Sequence, residues 1–124
     1  MADCGVCLNF DCDGEYEDFE QKTKVAEAEL KCDECAGPIG IGQSYHYASG
    51  WFEGSKDSHT VCLPCIECME AFCCNVVMYG GEFWGAMRDD AFYDMTTTCF
   101  DKLKTPAAKA KLQSQWIEWK FNQD

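Results

Sequence analysis

The chain has 124 residues, of which 47% are hydrophobic, 14% aromatic and 26% charged, a composition that excludes a disordered chain and suits one domain. The 22 acidic residues outnumber the ten basic residues and give a net charge of −12. A surface this negative repels phosphates, so we expect no binding to duplex DNA or RNA and favour a basic protein as partner.

The beginning of the sequence and its apolar runs bear on location. The longest apolar run, around Val76-Val77-Met78-Tyr79, is too short to cross a bilayer, so we expect no membrane contact. The first residues lack the basic start and the apolar segment of a secretory signal. The cysteines are odd in number, 11, which argues against complete disulfide pairing. We therefore expect a cytoplasmic protein.

The predicted elements begin with a metal-binding loop over residues 1–14, followed by a short helix over 15–22. Apolar and polar residues then alternate over 25–32, which indicates a half-buried strand. Two further strands are predicted over 43–49 and 56–62, with their turn at Glu53-Gly54. Helices are predicted over 65–74, 82–95 and 106–121, and Thr105-Pro106 provides the N-cap and first position of the last one.

These elements predict an α+β fold: a small zinc-ribbon-like antiparallel β-hairpin core with three helices, stabilised by metal. We expect residues 1–100 to form this core together with the N-terminal metal loop. Residues 101–124 are expected to form an amphipathic helix that packs on the core or projects from it.

The spacing of the cysteines carries the strongest chemical signal. Cys32-Asp-Glu-Cys35 and Cys62-Leu-Pro-Cys65 each place two thiols two residues apart, so that both sulfurs of a pair can bind one ion. Gly37 follows the first pair, where such a loop often needs a positive φ. Four thiolates leave no vacant position on zinc, so these cysteines predict a closed, structural zinc site.

A second zinc site is a further prediction, and other chemistry remains open. We assign Cys4, Cys7, Cys12 and Cys74 to the second site, with Cys68, Cys73 and Cys99 as the other candidates. Cys68 and Cys99 are alternatively small buried apolar residues. A redox C-x-x-C pair and an iron–sulfur site at Cys62, Cys65 and Cys68 are the alternatives to zinc.

No pattern in the sequence predicts catalysis, and we expect a non-enzymatic protein. His46 and His59 adjoin no nucleophile motif, and the His-x-Glu half of a zinc deaminase motif is absent. Candidate partner-binding residues are the acids Glu15, Glu17, Asp18 and Glu20 and the tryptophans Trp116 and Trp119. The two tryptophans are either core residues of the last helix or exposed anchors for a partner.

Several motifs occur in an order typical of one group of proteins: a C-x-x-C loop, a G-x-x-Y strand, an S-G-W turn and a second C-x-x-C loop. Here they are Lys31-Cys32-Asp33-Glu34-Cys35-Ala36-Gly37-Pro38-Ile39, Gly42-Gln43-Ser44-Tyr45, Ser49-Gly50-Trp51 and Thr60-Val61-Cys62-Leu63-Pro64-Cys65. The chain thereby resembles small cysteine-rich proteins encoded by bacteriophages and prophages. The resemblance implies a phage origin and a bacterial cytoplasmic setting, and it implies no reaction.

Two functional hypotheses follow. In the first, an acidic zinc-binding protein binds and inhibits a basic bacterial protein, such as a CRISPR complex or another anti-phage defence effector. In the second, a zinc-ribbon accessory factor acts in transcription or nucleic-acid metabolism. Measurable affinity for single-stranded nucleic acid would favour the second hypothesis.

Overall fold

The computed structural model describes residues 4–8, 17–52, 54–73 and 81–121, and it is a mixed α+β structure. The strands are β1 (Glu17–Val25), β2 (Leu30–Lys31), β3 (Pro38–Ile39), β4 (Ser44–Phe52) and β5 (Ser55–Cys62). The α-helices are α1 (Leu63–Phe72), α2 (Phe83–Ala86) and α3 (Pro106–Phe121). A π-helix (Met87–Ala91) continues α2, and a 3₁₀ helix (Thr97–Lys102) precedes α3.

The larger sheet is antiparallel and has the strand order β1-β4-β5. Its β4–β5 hairpin, in which Tyr45 pairs with Cys62 and Phe52 with Ser55, confirms the predicted hairpin. Gly54 in the turn has φ +84°, a conformation that glycine adopts without strain. A second, two-stranded sheet pairs Leu30 with Ile39 across β2 and β3.

The N-terminal part of the sheet differs from the prediction. The helix expected over 15–22 is wrong, because β1 begins at Glu17 and pairs along most of its length with β4. Tyr16 and Phe19, three residues apart in the sequence, suit one face of a helix, but this is a weak local preference that strand pairing outweighs. The strand expected over 25–32 is reduced to the two residues of β2, because the chain bends at Glu27 and Ala28.

The helices agree with the prediction more closely. α1 and α3 confirm two predicted helices, and the Thr105 hydroxyl caps α3 by accepting a hydrogen bond from the Ala108 N–H, at 3.2 Å. The helix predicted over 82–95 is shorter and changes its winding, since the Phe92 N–H bonds to the Met87 carbonyl in the π-helix.

The core lies between the sheet and the helices. α1 packs against the side of the larger sheet that carries Ala48 and Val61, both fully buried, and α3 packs against α1 through Ala108 and Leu112. The largest fully buried side chains include Trp84, Phe72, Phe83, Phe92, Met69, Met87 and Leu112. α3 is therefore part of the core packing.

Candidate metal centre

Two loops bring four cysteines together where the two sheets meet α1. Cys32 and Cys35 lie between β2 and β3, whose pairing closes the first loop. Cys62 ends β5 and Cys65 lies in the first turn of α1. Pro64, between them, has the fixed φ that suits the start of a helix.

The spacing of the sulfur atoms fits one tetrahedral metal ion. All four lie within 4.8 Å of one another, and the sulfurs of Cys35 and Cys62 are 3.9 Å apart. Metal–sulfur bonds of about 2.3 Å in a tetrahedron place sulfurs about 3.8 Å apart. Within the part of the chain that the structure describes, no other group of His, Cys, Asp or Glu side chains is arranged in this way.

Backbone N–H groups point at these sulfurs. The amides of Glu34, Cys35 and Cys62 donate to the Cys32 sulfur over 3.4–3.5 Å, and the Gly37 amide donates to the Cys35 sulfur at 3.4 Å. Hydrogen bonds of this kind stabilise negative charge on a thiolate. The first loop is thus organised for metal-bound thiolates.

The structural reason for a glycine at position 37 differs from the predicted one. The positive φ in this loop, 62°, belongs to Ala36 and not to Gly37. A Cβ atom at Gly37 would lie 3.2 Å from the Cys35 sulfur, a tight contact. Gly37 is therefore required for the close approach of its amide to the sulfur, and not for its backbone conformation.

Two side chains from distant elements complete the surroundings of the sulfurs. The buried indole Nε1 of Trp84, on α2, donates to the Cys65 sulfur at 3.3 Å. The Lys111 ammonium group, on α3, donates to the Cys35 sulfur at 3.3 Å. Neither residue is predicted from the sequence, because no spacing relative to the cysteines marks them. Lys111 supplies positive charge beside a centre that would be negative.

The thiols divide into two pairs by their pKa. Hydrogen bonds with Cys32, Cys62 and Cys65 hold the pKa of Cys35 far below its usual value. The pKa of Cys32 is lowered to about 6. Its hydrogen bond with Cys35 raises this pKa, but its hydrogen bonds with Cys62 and Cys65 together lower it by more. Hydrogen bonds with Cys32 and Cys35 raise the pKa of both Cys62 and Cys65 above the usual value. A bound cation would displace the protons that these two thiols retain.

The donor set fits zinc. Four sulfurs in a tetrahedral arrangement are the ligands of structural zinc sites and of some iron sites, and hard cations such as magnesium prefer oxygen. Cys68 is not part of the cluster: its sulfur donates to the Ala108 carbonyl at 3.7 Å, and burial raises its pKa to about 12. An iron–sulfur cluster that uses Cys68 therefore has no support in this geometry.

The cysteines assigned to a second zinc site are placed differently from the prediction. Cys4 forms a disulfide with Cys99, and Cys7 is also disulfide-bonded, so neither sulfur is a thiolate available to zinc. Cys12 and Cys74 lie outside the described residues. Cys99 is buried as expected, but as a disulfide partner and not as a free thiol. The disulfide fastens the N-terminal segment to the 3₁₀ helix.

The acidic residues assigned to partner binding are described in part. Glu20 is exposed on β1. Glu17 and Asp18 also lie on β1, but the structure does not describe their side chains, and Glu15 lies outside the described residues. Of the four predicted acidic residues, Glu20 is therefore the one whose side-chain exposure the structure describes.

Both tryptophans assigned to partner binding pack on the core. The Trp116 ring lies 5.9 Å from that of Phe100, and the Trp119 ring lies 5.7 Å from that of Phe92. Both are partly buried, which favours the core interpretation. The exposed apolar side chains of α3 are instead Ile117 and Phe121, at 42% and 83% exposure.

Comparison of the chain with protein-family models, with curated proteins and with solved structures finds no match. Among the described residues, no helix is both long enough and apolar enough to cross a membrane.

Proposed function

We propose that this protein is a zinc-binding, zinc-ribbon-like scaffold without catalytic activity, whose function is to bind another protein. The supporting observation is the closed cluster of Cys32, Cys35, Cys62 and Cys65, which provides all four ligands of a tetrahedral ion. A catalytic zinc ion keeps one position for water or substrate, and this donor set leaves none. Bound zinc would hold the two loops together and contribute directly to the folding free energy.

The proposed partner is a bacterial host protein with a basic surface. The net charge of −12 favours such a partner, and Glu15, Glu17, Asp18 and Glu20 fall within six residues of the sequence. Three of these acids are on β1, which lies at one edge of the larger sheet. Complementary charge accelerates the encounter of two proteins, and it favours proteins that themselves bind nucleic acid.

The proposed consequence of binding is inhibition of an immunity effector, either a CRISPR complex or another anti-phage defence protein. The resemblance to small cysteine-rich phage proteins supports this proposal. The acidic segment would cover the surface on which the effector binds nucleic acid.

Phage plating on defended bacteria tests this function. In a strain with an active CRISPR or other defence system, expression of the wild-type protein should raise plating efficiency by at least about tenfold over an empty vector. Replacing Glu15, Glu17, Asp18 and Glu20 with lysine changes the net charge from −12 to −4 and should abolish the rise.

The matched control replaces four exposed acids elsewhere, Asp89, Asp90, Asp94 and Asp101, and reaches the same net charge of −4. It should retain the rise in plating, and zinc content should confirm that both variants fold. No rise with the wild-type protein across a panel of defended strains, or equal loss in both variants, would contradict the proposal.

A further inference from the structure

The two faces of the larger sheet differ in what covers them. α1 packs on the face that carries His46, Ala48 and Val61. The strand register places a second set of side chains on the opposite side, which we call the open face. It consists of Glu20, Lys22 and Lys24 on β1, Tyr45, Tyr47, Ser49 and Trp51 on β4, and Lys56, Ser58 and Thr60 on β5. Tyr45 is only 7% exposed and belongs to the core, so the face is open from Tyr47 to Trp51.

The open face carries three lysines although the chain is strongly acidic. Lys22, Lys24 and Lys56 are all exposed there, and the register places two glutamates among them: Glu20, opposite Ser49, and Glu17, opposite Trp51. Three lysines against two glutamates give a local charge of +1. Asp33 lies beside β5, where its carboxylate accepts a hydrogen bond from the Thr60 N–H at 2.8 Å. The surface therefore suits an anionic ligand.

Aromatic rings lie between these lysines. Trp51 is 44% exposed and pairs with Lys56 across the β4–β5 hairpin. Tyr47 is half-buried, and the Lys24 ammonium group lies 4.3 Å from the centre of its ring. Exposed aromatic rings beside cationic side chains are the combination that binds the bases and phosphates of single strands.

We propose that the open face binds single-stranded nucleic acid, with Trp51 stacking on a base and Lys22, Lys24 and Lys56 contacting phosphates. A duplex keeps its bases stacked on one another and offers none to Trp51, so it binds more weakly. An acidic peptide would use the lysines and leave the exposed indole without a role. This proposal rests on the register and exposure of the sheet and does not depend on the proposed function. Binding of a single strand would favour the accessory-factor hypothesis over inhibition of a host protein.

Fluorescence anisotropy with a labelled oligothymidylate of about 16 nucleotides tests the proposal. The wild-type protein should bind at low salt, and its affinity should fall as salt rises. The triple variant Lys22→Gln, Lys24→Gln, Lys56→Gln should lower the affinity at least about tenfold and reduce the salt slope by about 2, at roughly 0.7 per phosphate contact. Trp51→Ala should lower the affinity about fivefold or more without changing that slope.

The matched control is the triple variant Lys31→Gln, Lys104→Gln, Lys109→Gln, which removes three exposed lysines elsewhere and has the same net charge. It should change the affinity less than about twofold, since its lysines lie outside the open face. Replacing Glu15, Glu17, Asp18 and Glu20 with lysine should strengthen oligonucleotide binding, because Glu17 and Glu20 lie in the register of the open face. The same variant should abolish the rise in plating, so failure of the proposed function is separable from failure here. Absence of binding at low salt, equal loss in both triple variants, or equally strong competition by polyglutamate or by a duplex would overturn the proposal.

Discussion

At the scale of single residues, the sulfur cluster depends on donors from outside its own loops. Trp84 and Lys111 approach from α2 and α3 and place an N–H group 3.3 Å from the sulfurs of Cys65 and Cys35. Groups that hydrogen-bond to metal ligands orient them and tune their affinity for the ion. The two helices thereby become part of the metal centre, although neither contributes a ligand.

Trp84→Phe should weaken metal binding, because it removes the indole N–H and keeps an aromatic ring in the same buried position. We expect a loss of about tenfold or more in zinc affinity, measured by competition with a chromophoric chelator. Trp116→Phe is the matched control, since no hydrogen-bond acceptor for the buried Trp116 Nε1 lies among the described residues. Equal affinities of the two variants would show that the Trp84 hydrogen bond contributes nothing to the site.

The four ligands could be predicted from sequence, whereas their surroundings could not. In each pair, Cys32 with Cys35 and Cys62 with Cys65, two residues separate the cysteines, and this spacing places both sulfurs on one side of a short loop. Because this effect is local, it can be read from the sequence. Trp84 and Lys111 reach the cluster through the packing of α2 and α3, over sequence separations of 19 and 76 residues. No local pattern encodes such contacts.

At the scale of elements, Glu67 joins α1 to the start of α3. Its carboxylate accepts hydrogen bonds from the Lys104 and Thr105 amides and, at 2.8 Å, from the Thr105 hydroxyl. Partial burial acts to raise the pKa of Glu67, but these hydrogen bonds lower it more, so it lies below its usual value. The carboxylate form is therefore more stable in the folded chain than in the unfolded one.

Glu67→Ala should lower the free energy of unfolding at neutral pH by about 1–2 kcal/mol, measured by denaturant titration. Because the folded-state pKa is depressed, this contribution is present above the unfolded-state pKa and is lost as pH falls through the folded-state pKa. The difference between wild type and variant should accordingly shrink in acid. Glu118→Ala, at an exposed position on α3, is the control and should change stability by about 0.5 kcal/mol or less. A difference that is constant from neutral to acid pH would contradict the assignment to Glu67.

An element can be predicted from the sequence when the residues that determine it are close to one another in the chain. The boundaries of α3 follow from Thr105 and Pro106, which act within one turn. β1 is stabilised by pairing with β4, about 25 residues away in sequence, and its own residues are exposed along most of its length. With no buried stripe, residues 17–25 carry no alternation that could distinguish a strand from a short helix.

At the scale of the whole molecule, the metal cluster joins the two sheets to α1. The larger sheet provides Cys62, the small sheet provides Cys32 and Cys35, and α1 provides Cys65. β1 is exposed along most of its length, so it adds little to the core. A bound ion with four protein ligands would connect these elements directly, which is how metal sites stabilise small domains. We therefore propose that the folded protein holds zinc through these four sulfurs.

The most direct test is a native mass spectrum of the wild-type protein, purified from bacteria without chelator. We predict one zinc ion at the four-cysteine cluster, retained in Cys68→Ser, whose buried thiol is not a ligand, and lost in Cys62→Ser. A metal-free wild-type mass lowered by pairs of hydrogens beyond those of the disulfides at Cys4 and Cys7 would place Cys32, Cys35, Cys62 and Cys65 in disulfides. That result, or zinc retained in full by Cys62→Ser, would contradict the account.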